Sequence, residues 1–147
     1  MDRIGGMETA FSICSTGAAL GWLLLALAPR WRWTQLIAGT AIPVGIALVY
    51  VLLIARFMPS ADGGFGSLAE VATLFQTPGL LLAGWVHYLA FDLFIGSWEV
   101  RDAAHRGVPH LLVIPCLIMT FLFGPIGLLA YWLVRSFRTG PAAMETT

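Results

Sequence analysis

The segment PGLLLAGWVHYLAFDLFIGSW, from Pro78 to Trp98, decides the fold. It contains one carboxylate, Asp92, and no Lys or Arg. About 20 apolar residues at 1.5 Å per residue cross the roughly 30 Å hydrocarbon layer of a bilayer, so the segment predicts a transmembrane helix. Its opening proline suits a first helical position, where the missing N–H costs no hydrogen bond. The polar run Glu99-Val100-Arg101-Asp102 closes it.

Three more runs meet the same length test: about 9–28, 34–55 and 108–134. The first ends at Pro29-Arg30-Trp31-Arg32-Trp33, the second carries Pro43 and stops at Arg56, and the last contains Pro115 and Gly124-Pro125. Proline removes a backbone donor, so the second span should be kinked at Pro43 and the last bent or broken near Gly124. Arg3 and Ala26-Leu27-Ala28 imitate a cleavable leader, but the apolar stretch between them is too long for one. Between the second and third runs, Ser67 and Glu70 form a capping-box pair that opens a short helix. Its Leu68, Val71, Ala72 and Phe75 share one face, as in a helix lying in the interface. The expected fold is therefore an all-α integral membrane bundle of four transmembrane helices with a short interfacial helix between the second and third. It forms a single domain over 1–140, followed by a disordered tail, 141–147.

Composition agrees with a lipid solvent: 59% of the 147 residues are hydrophobic and 11% charged, against roughly 25% charged in soluble domains. Mean hydropathy is +0.84. Every one of the eight basic residues is Arg, balanced by eight acidic residues. Nucleic acid is excluded as a partner, because phosphate-backbone binding needs a dense basic surface. Cys14 and Cys116 sit in separate apolar runs and read as packing groups. With four straight crossings, Arg3, Arg56, Arg135 and Arg138 oppose Arg30, Arg32, Arg101 and Arg106, so charge assigns no orientation. Trp31, Trp33 and Trp98 fall at span ends as interfacial anchors.

Chemistry is sought where polarity is expensive. Asp92 lies six residues before Trp98, about 9 Å inside the interface, where a carboxylate needs a partner, a proton or water. Helical spacing places Trp85, Tyr88, Asp92 and Glu99 on one stripe, with His87 about 140° away round the helix from Asp92. A second polar cluster, Glu99, Arg101, Asp102, His105, Arg106 and His110, shares one membrane face and could converge. No HxxxH or CxxC spacing points to a metal, and a salt-bridged loop end explains the cluster as well. No cofactor is expected.

The runs 28–34, 63–68 (GGFGSL), 84–94 (GWVHYLAFDLF), Arg101-Asp102, Pro109-His110-Leu111, Pro115-Cys116, Thr120-Phe121 and Gly124-Pro125-Ile126-Gly127 resemble the abscisic-acid-deficient-four-like family. The plastid member of that membrane family is required to form neoxanthin from violaxanthin. The resemblance spans about 9–135 and is most specific from Trp85 to Asp92. It implies a role in carotenoid and xanthophyll biosynthesis, as a cofactor-independent isomerase turning an epoxycarotenoid into an allene. Opening an epoxide needs a proton donor, and forming the allene needs a base. We assign Asp92 as acid, His87 or Glu99 as base, and Tyr88 as an assisting group. Trp85, Phe91, Phe94 and His110 are the candidate substrate contacts, along an apolar groove open sideways to lipid. A chain beginning at Met1 without a Ser/Arg-rich transit segment suggests a bacterial inner-membrane relative, for which a different polyene or a terpenoid lipid is an alternative substrate. The alternative is a non-catalytic carotenoid-binding or scaffold protein of a pigment-synthesis complex. A small transporter lacks the internal repeat it would need. Membrane lipids are the other expected partners, and a homo-oligomer is compatible with the sequence.

Overall fold

A computed structural model describes residues 2–137, with side chains from Gly5 onward, so the tail expected at 141–147 lies outside the described residues. The described chain forms six helices and no strand. They are α1 (Asp2–Leu27), α2 (Thr34–Ser60), α3 (Leu68–Leu74), α4 (Pro78–His105), α5 (His110–Phe123) and α6 (Pro125–Ser136). Within α2, Ile37–Ala41 is a π turn and Met58–Ser60 a 3-10 turn. Pro43 has no N–H for the Gly39 carbonyl and its ring crowds that carbonyl, and the widened π turn takes up the misfit.

Three helices, α1, α2 and α4, are long and apolar enough to cross a membrane. The chain is therefore an all-α membrane protein. α4 is its central element: Val86, Leu89 and Ala90 pack with Cys14 and Ala18 of α1 and Ile46 of α2. Further along, Leu93, Val100 and Ala103 pack with Trp22 and Leu25 of α1 and with Val113, Cys116 and Leu117 of α5. Cys14 and Cys116 are free thiols buried in these two separate clusters. The short helix α3 forms as expected, with Ser67 accepting from the Glu70 N–H at 3.2 Å and Glu70 reaching back to the Gly66 N–H at 3.0 Å.

The last expected span, 108–134, is not one crossing. Gly124 adopts φ +51°, a conformation that favours glycine, and Pro125 starts a new helix. The resulting pieces, α5 and α6, are about 21 and 18 Å long, each short of a bilayer. They fold back on one another as a hairpin. A side chain at Gly127 would collide with the Thr120 backbone nitrogen and hydroxyl, and Tyr131 of α6 joins the cluster that holds Val113 and Cys116 of α5. At the far end of α6, Arg135 lies 3.3 Å from Asp102, near the end of α4 beside which α5 began. The chain has returned to its starting face.

The hairpin corrects the arginine balance. Arg135 joins Arg30, Arg32, Arg101 and Arg106 at one end, which is also where His110 binds the Ala26 carbonyl at 3.0 Å. Arg56 stands at the other, while Arg138 and the Arg3 side chain lie outside the description.

Gly127→Val should wedge the hairpin apart and lower the stability of the solubilised protein by about 1–3 kcal/mol, the usual cost of overpacking. Gly17→Ala, at a glycine with open space around it, should leave stability near wild type. Denaturation of both variants checks this, and equal stability would contradict the close α5–α6 contact.

Candidate functional site

Where α1, α3, α4 and α5 meet, an apolar groove of about 1210 Å³ opens on the side of the bundle. Met7 and Phe11 of α1, Phe75 at the end of α3, Trp85 and Tyr88 of α4, and Phe121 of α5 form its main walls. Met7, Phe11 and Ser15 recur every four residues and so present one stripe of α1. Phe11 stacks on Trp85 with centroids 5.7 Å apart, and the Trp85 indole N–H donates to Ser15 Oγ at 3.1 Å. The Tyr88 ring follows, 5.6 Å beyond Trp85. Only Glu8, Trp85 and Tyr88 bring polar side-chain atoms to the lining.

The inner end of the groove depends on Pro125. In an unbroken helix the Phe121 carbonyl would accept from the N–H four residues on, but residue 125 is proline and has none. Tyr88 fills the vacancy, its hydroxyl donating to the Phe121 carbonyl at 2.8 Å. One turn further along α4, the Asp92 carboxyl neighbours that same hydroxyl and lies against the hairpin turn. A Cβ placed on Gly124 would sit 3.1 Å from each Asp92 oxygen. Asp92 Oδ2 is closed off from solvent and has no hydrogen-bond partner. α4 continues past Trp98 to His105, so the Asp92 carboxyl stands about 20 Å from either end of the helix.

Seven residues on, Glu99 is fully buried. Thr120 Oγ1 donates to Glu99 Oε1 at 2.9 Å, while Oε2 has no partner. Trp85, Tyr88, Asp92 and Glu99 thus occupy the single stripe expected of them. Trp85 and Tyr88 line the groove, Asp92 backs Tyr88, and Glu99 is enclosed behind the hairpin.

Other expected site residues are placed elsewhere. His87 is exposed on another face of α4, stacked on Phe91 at 4.6 Å and near Tyr50 at 5.6 Å, so it does not face the groove with Asp92. Phe91 and Phe94 are likewise exposed and outside the groove lining, since the helical rotation that turns Tyr88 inward carries them outward. His110 belongs to the opposite end, bound to the Ala26 carbonyl.

The polar cluster at the α4–α5 connection divides: Arg101, His105 and His110 line one small cavity, Asp102 and Arg106 pair with each other, and Glu99 is turned away from both. Asp102 accepts from Tyr131 at 2.7 Å and pairs with Arg106 at 2.9 Å and Arg135 at 3.3 Å. Arg101 turns to Gln35 and Ser97, each at 3.3 Å, and Glu99 turns to Thr120. Among the described residues no three His, Cys, Asp or Glu side chains are grouped to hold a metal.

The groove walls that sequence reading missed, Met7, Phe11, Phe121 and Leu122, come from helices read only as frame. The four-residue stripe of α1 was a usable signal. The contribution of Phe121 was hidden, because it requires α5 to end at Gly124 instead of passing through the membrane.

A family model described as ABA DEFICIENT 4-like matches residues 9–131. No curated protein and no solved structure matches the chain.

The Thr120–Glu99 contact gives a direct test of the buried stripe. Thr120→Val leaves Glu99 without its donor and should cost about 1–3 kcal/mol of stability. Adding Glu99→Leu should recover much of that loss in a double-mutant cycle. Additive effects of the two changes would contradict the contact.

Proposed function

The chain is a member of the ABA DEFICIENT 4-like family, and from that premise we propose that it isomerises a carotenoid-type polyene held in the lateral groove. One observation carries the reading: a groove of about 1210 Å³, apolar along its walls, ends on Tyr88 with the Asp92 carboxyl behind it. That volume exceeds the roughly 300–1,000 Å³ usual for drug-sized ligands and suits a long hydrocarbon. Phe11, Phe75, Trp85 and Phe121 offer aromatic faces to a flat conjugated chain. Phe75 also covers Gly84, so α3 closes part of the groove from the interface.

An epoxycarotenoid end group would meet Tyr88 first. The Tyr88 hydroxyl turns from the Phe121 carbonyl to the epoxide oxygen and gives it its proton, the Asp92 carboxyl replaces that proton on Tyr88, and the ring C–O bond breaks. The adjacent polyene carbon then loses a proton to the Tyr88–Asp92 pair, which leaves an alcohol and an allene with the protein restored. No electrons are gained or lost. His87 has no part in this scheme, and Glu99 acts as a buried structural partner of Thr120. In the membrane, α1, α2 and α4 cross fully, while the α5–α6 hairpin supplies the fourth element without crossing. The end bearing Arg30, Arg32, Arg101, Arg106 and Arg135 faces the cytoplasm, as an excess of arginines in short loops does.

Pigment chromatography of cells that make an epoxycarotenoid and express the protein tests the proposal. Wild type should yield a new allenic isomer. Asp92→Asn and Tyr88→Phe should each reduce it by about 10²-fold or more, the usual share of a general acid–base group, while His87→Gln retains activity. Unchanged pigment that co-purifies with the protein would establish binding without catalysis. Activity surviving in both the Asp92 and Tyr88 variants would refute the assignment.

A further inference from the structure

At the opposite end from the groove lies a second, smaller cavity of about 390 Å³ with different chemistry. Arg30, Gln35, Arg101, His105 and His110 supply its polar side chains, and no acidic residue lines it. Among the described residues neither Arg30 nor Arg101 has an ion-pair partner, because Asp102 is engaged by Arg106 and Arg135. Gln35 Oε1 accepts from Ser97 Oγ at 2.8 Å and from Arg101 at 3.3 Å, which fixes the amide. Its Nε2 is buried and has no acceptor. His110 gives its Nε2 proton to the Ala26 carbonyl at 3.0 Å, so that ring is held in place. α5 begins at His110, and its positive end opens on the same cavity.

From this arrangement we propose that the cavity binds a phosphate group. Two guanidinium groups, the His105 imidazole and an orphaned amide donor form a set rich in donors and free of carboxylates, with the His110 ring as a fixed wall, and guanidinium forks match phosphate oxygens. The position favours a phosphate attached to a lipid. The cavity lies beside Pro29 and Pro109, at the loops that join the spans, where anionic headgroups gather. A soluble phosphate would use the same donors. This inference stands independently of the polyene reading, since the two cavities lie at opposite ends of α4 and share no lining residue.

The test uses the full-length protein in uncharged detergent, with phosphatidylglycerol and inorganic phosphate as separate probes, read by native mass spectrometry and by thermal shift. Phosphatidylglycerol should bind and raise the melting temperature, and Arg30→Gln and Arg101→Gln should each weaken it about tenfold, roughly the value of one charge-assisted hydrogen bond. Inorganic phosphate reproducing the full effect would support the site and assign it to a soluble ligand. Arg101 touches Ser97 and Gln35, so if its variant misfolds, exposed Arg30 carries the test. Arg56→Gln, at the other end, should bind as wild type does. Loss of binding in the Arg56 variant equal to that in the Arg30 variant, or no binding of either probe, would overturn the proposal.

Discussion

A missing hydrogen bond donor organises this protein. Because residue 125 is proline, the Phe121 carbonyl cannot be satisfied within its own helix, and a bare carbonyl deep in an apolar bundle costs several kcal/mol. Tyr88 of α4 supplies the proton instead. That bond ties the tip of the α5–α6 hairpin to the central helix. Gly124, free to adopt φ +51°, makes the turn, and its lack of a side chain leaves room for the Asp92 carboxyl beside it. The same irregular backbone that ends α5 thus creates the polar end of the groove. Broken backbone at membrane depth persists where protein covers it, and here α4 provides the cover.

The two ends of α4 then differ in chemistry. Near Pro78 the surroundings are aromatic and open sideways, which suits a hydrocarbon. Near His105 they are basic and donor-rich, which suits an anion. Asp102 divides the second end by engaging Tyr131, Arg106 and Arg135, and so leaves Arg101 and Arg30 without a carboxylate partner among the described residues. Trp98 and Trp132 stack about the Arg135 guanidinium and pin the end of α6 at that face.

Much of the fold was legible because its signals are local. Length and apolarity identify the three crossings and Ser67 with Glu70 announces α3, while Pro43, expected to kink its helix, marks where the π turn forms. The stripe Trp85, Tyr88, Asp92 and Glu99 was also readable, since helical spacing alone sets it. What failed was the step from one helix to its neighbours. Gly124-Pro125 predicts a break, but a kinked crossing and a reversed hairpin have the same hydropathy. Tertiary contacts such as the Gly127–Thr120 approach, the Tyr131–Asp102 bond and the Arg135–Asp102 pair separate them. From that one ambiguity came the misplaced Arg135 and the missed Phe121 wall. His87, Phe91 and Phe94 stand outside the groove lining because residues next to Tyr88 and Asp92 in sequence are rotated away from them in a helix.

The hairpin is the central claim, and the sidedness of its end tests it most directly. Single cysteines at Ala104, Ser136 and Asp62, in a background where Cys14 and Cys116 are replaced by alanine, can be labelled with a membrane-impermeant maleimide in intact and in permeabilised cells. The fold places position 136 on the same side as position 104, with position 62 opposite. Labelling of position 136 together with position 62 would show that the segment crosses the membrane, and the account built on the Gly124 reversal would fall.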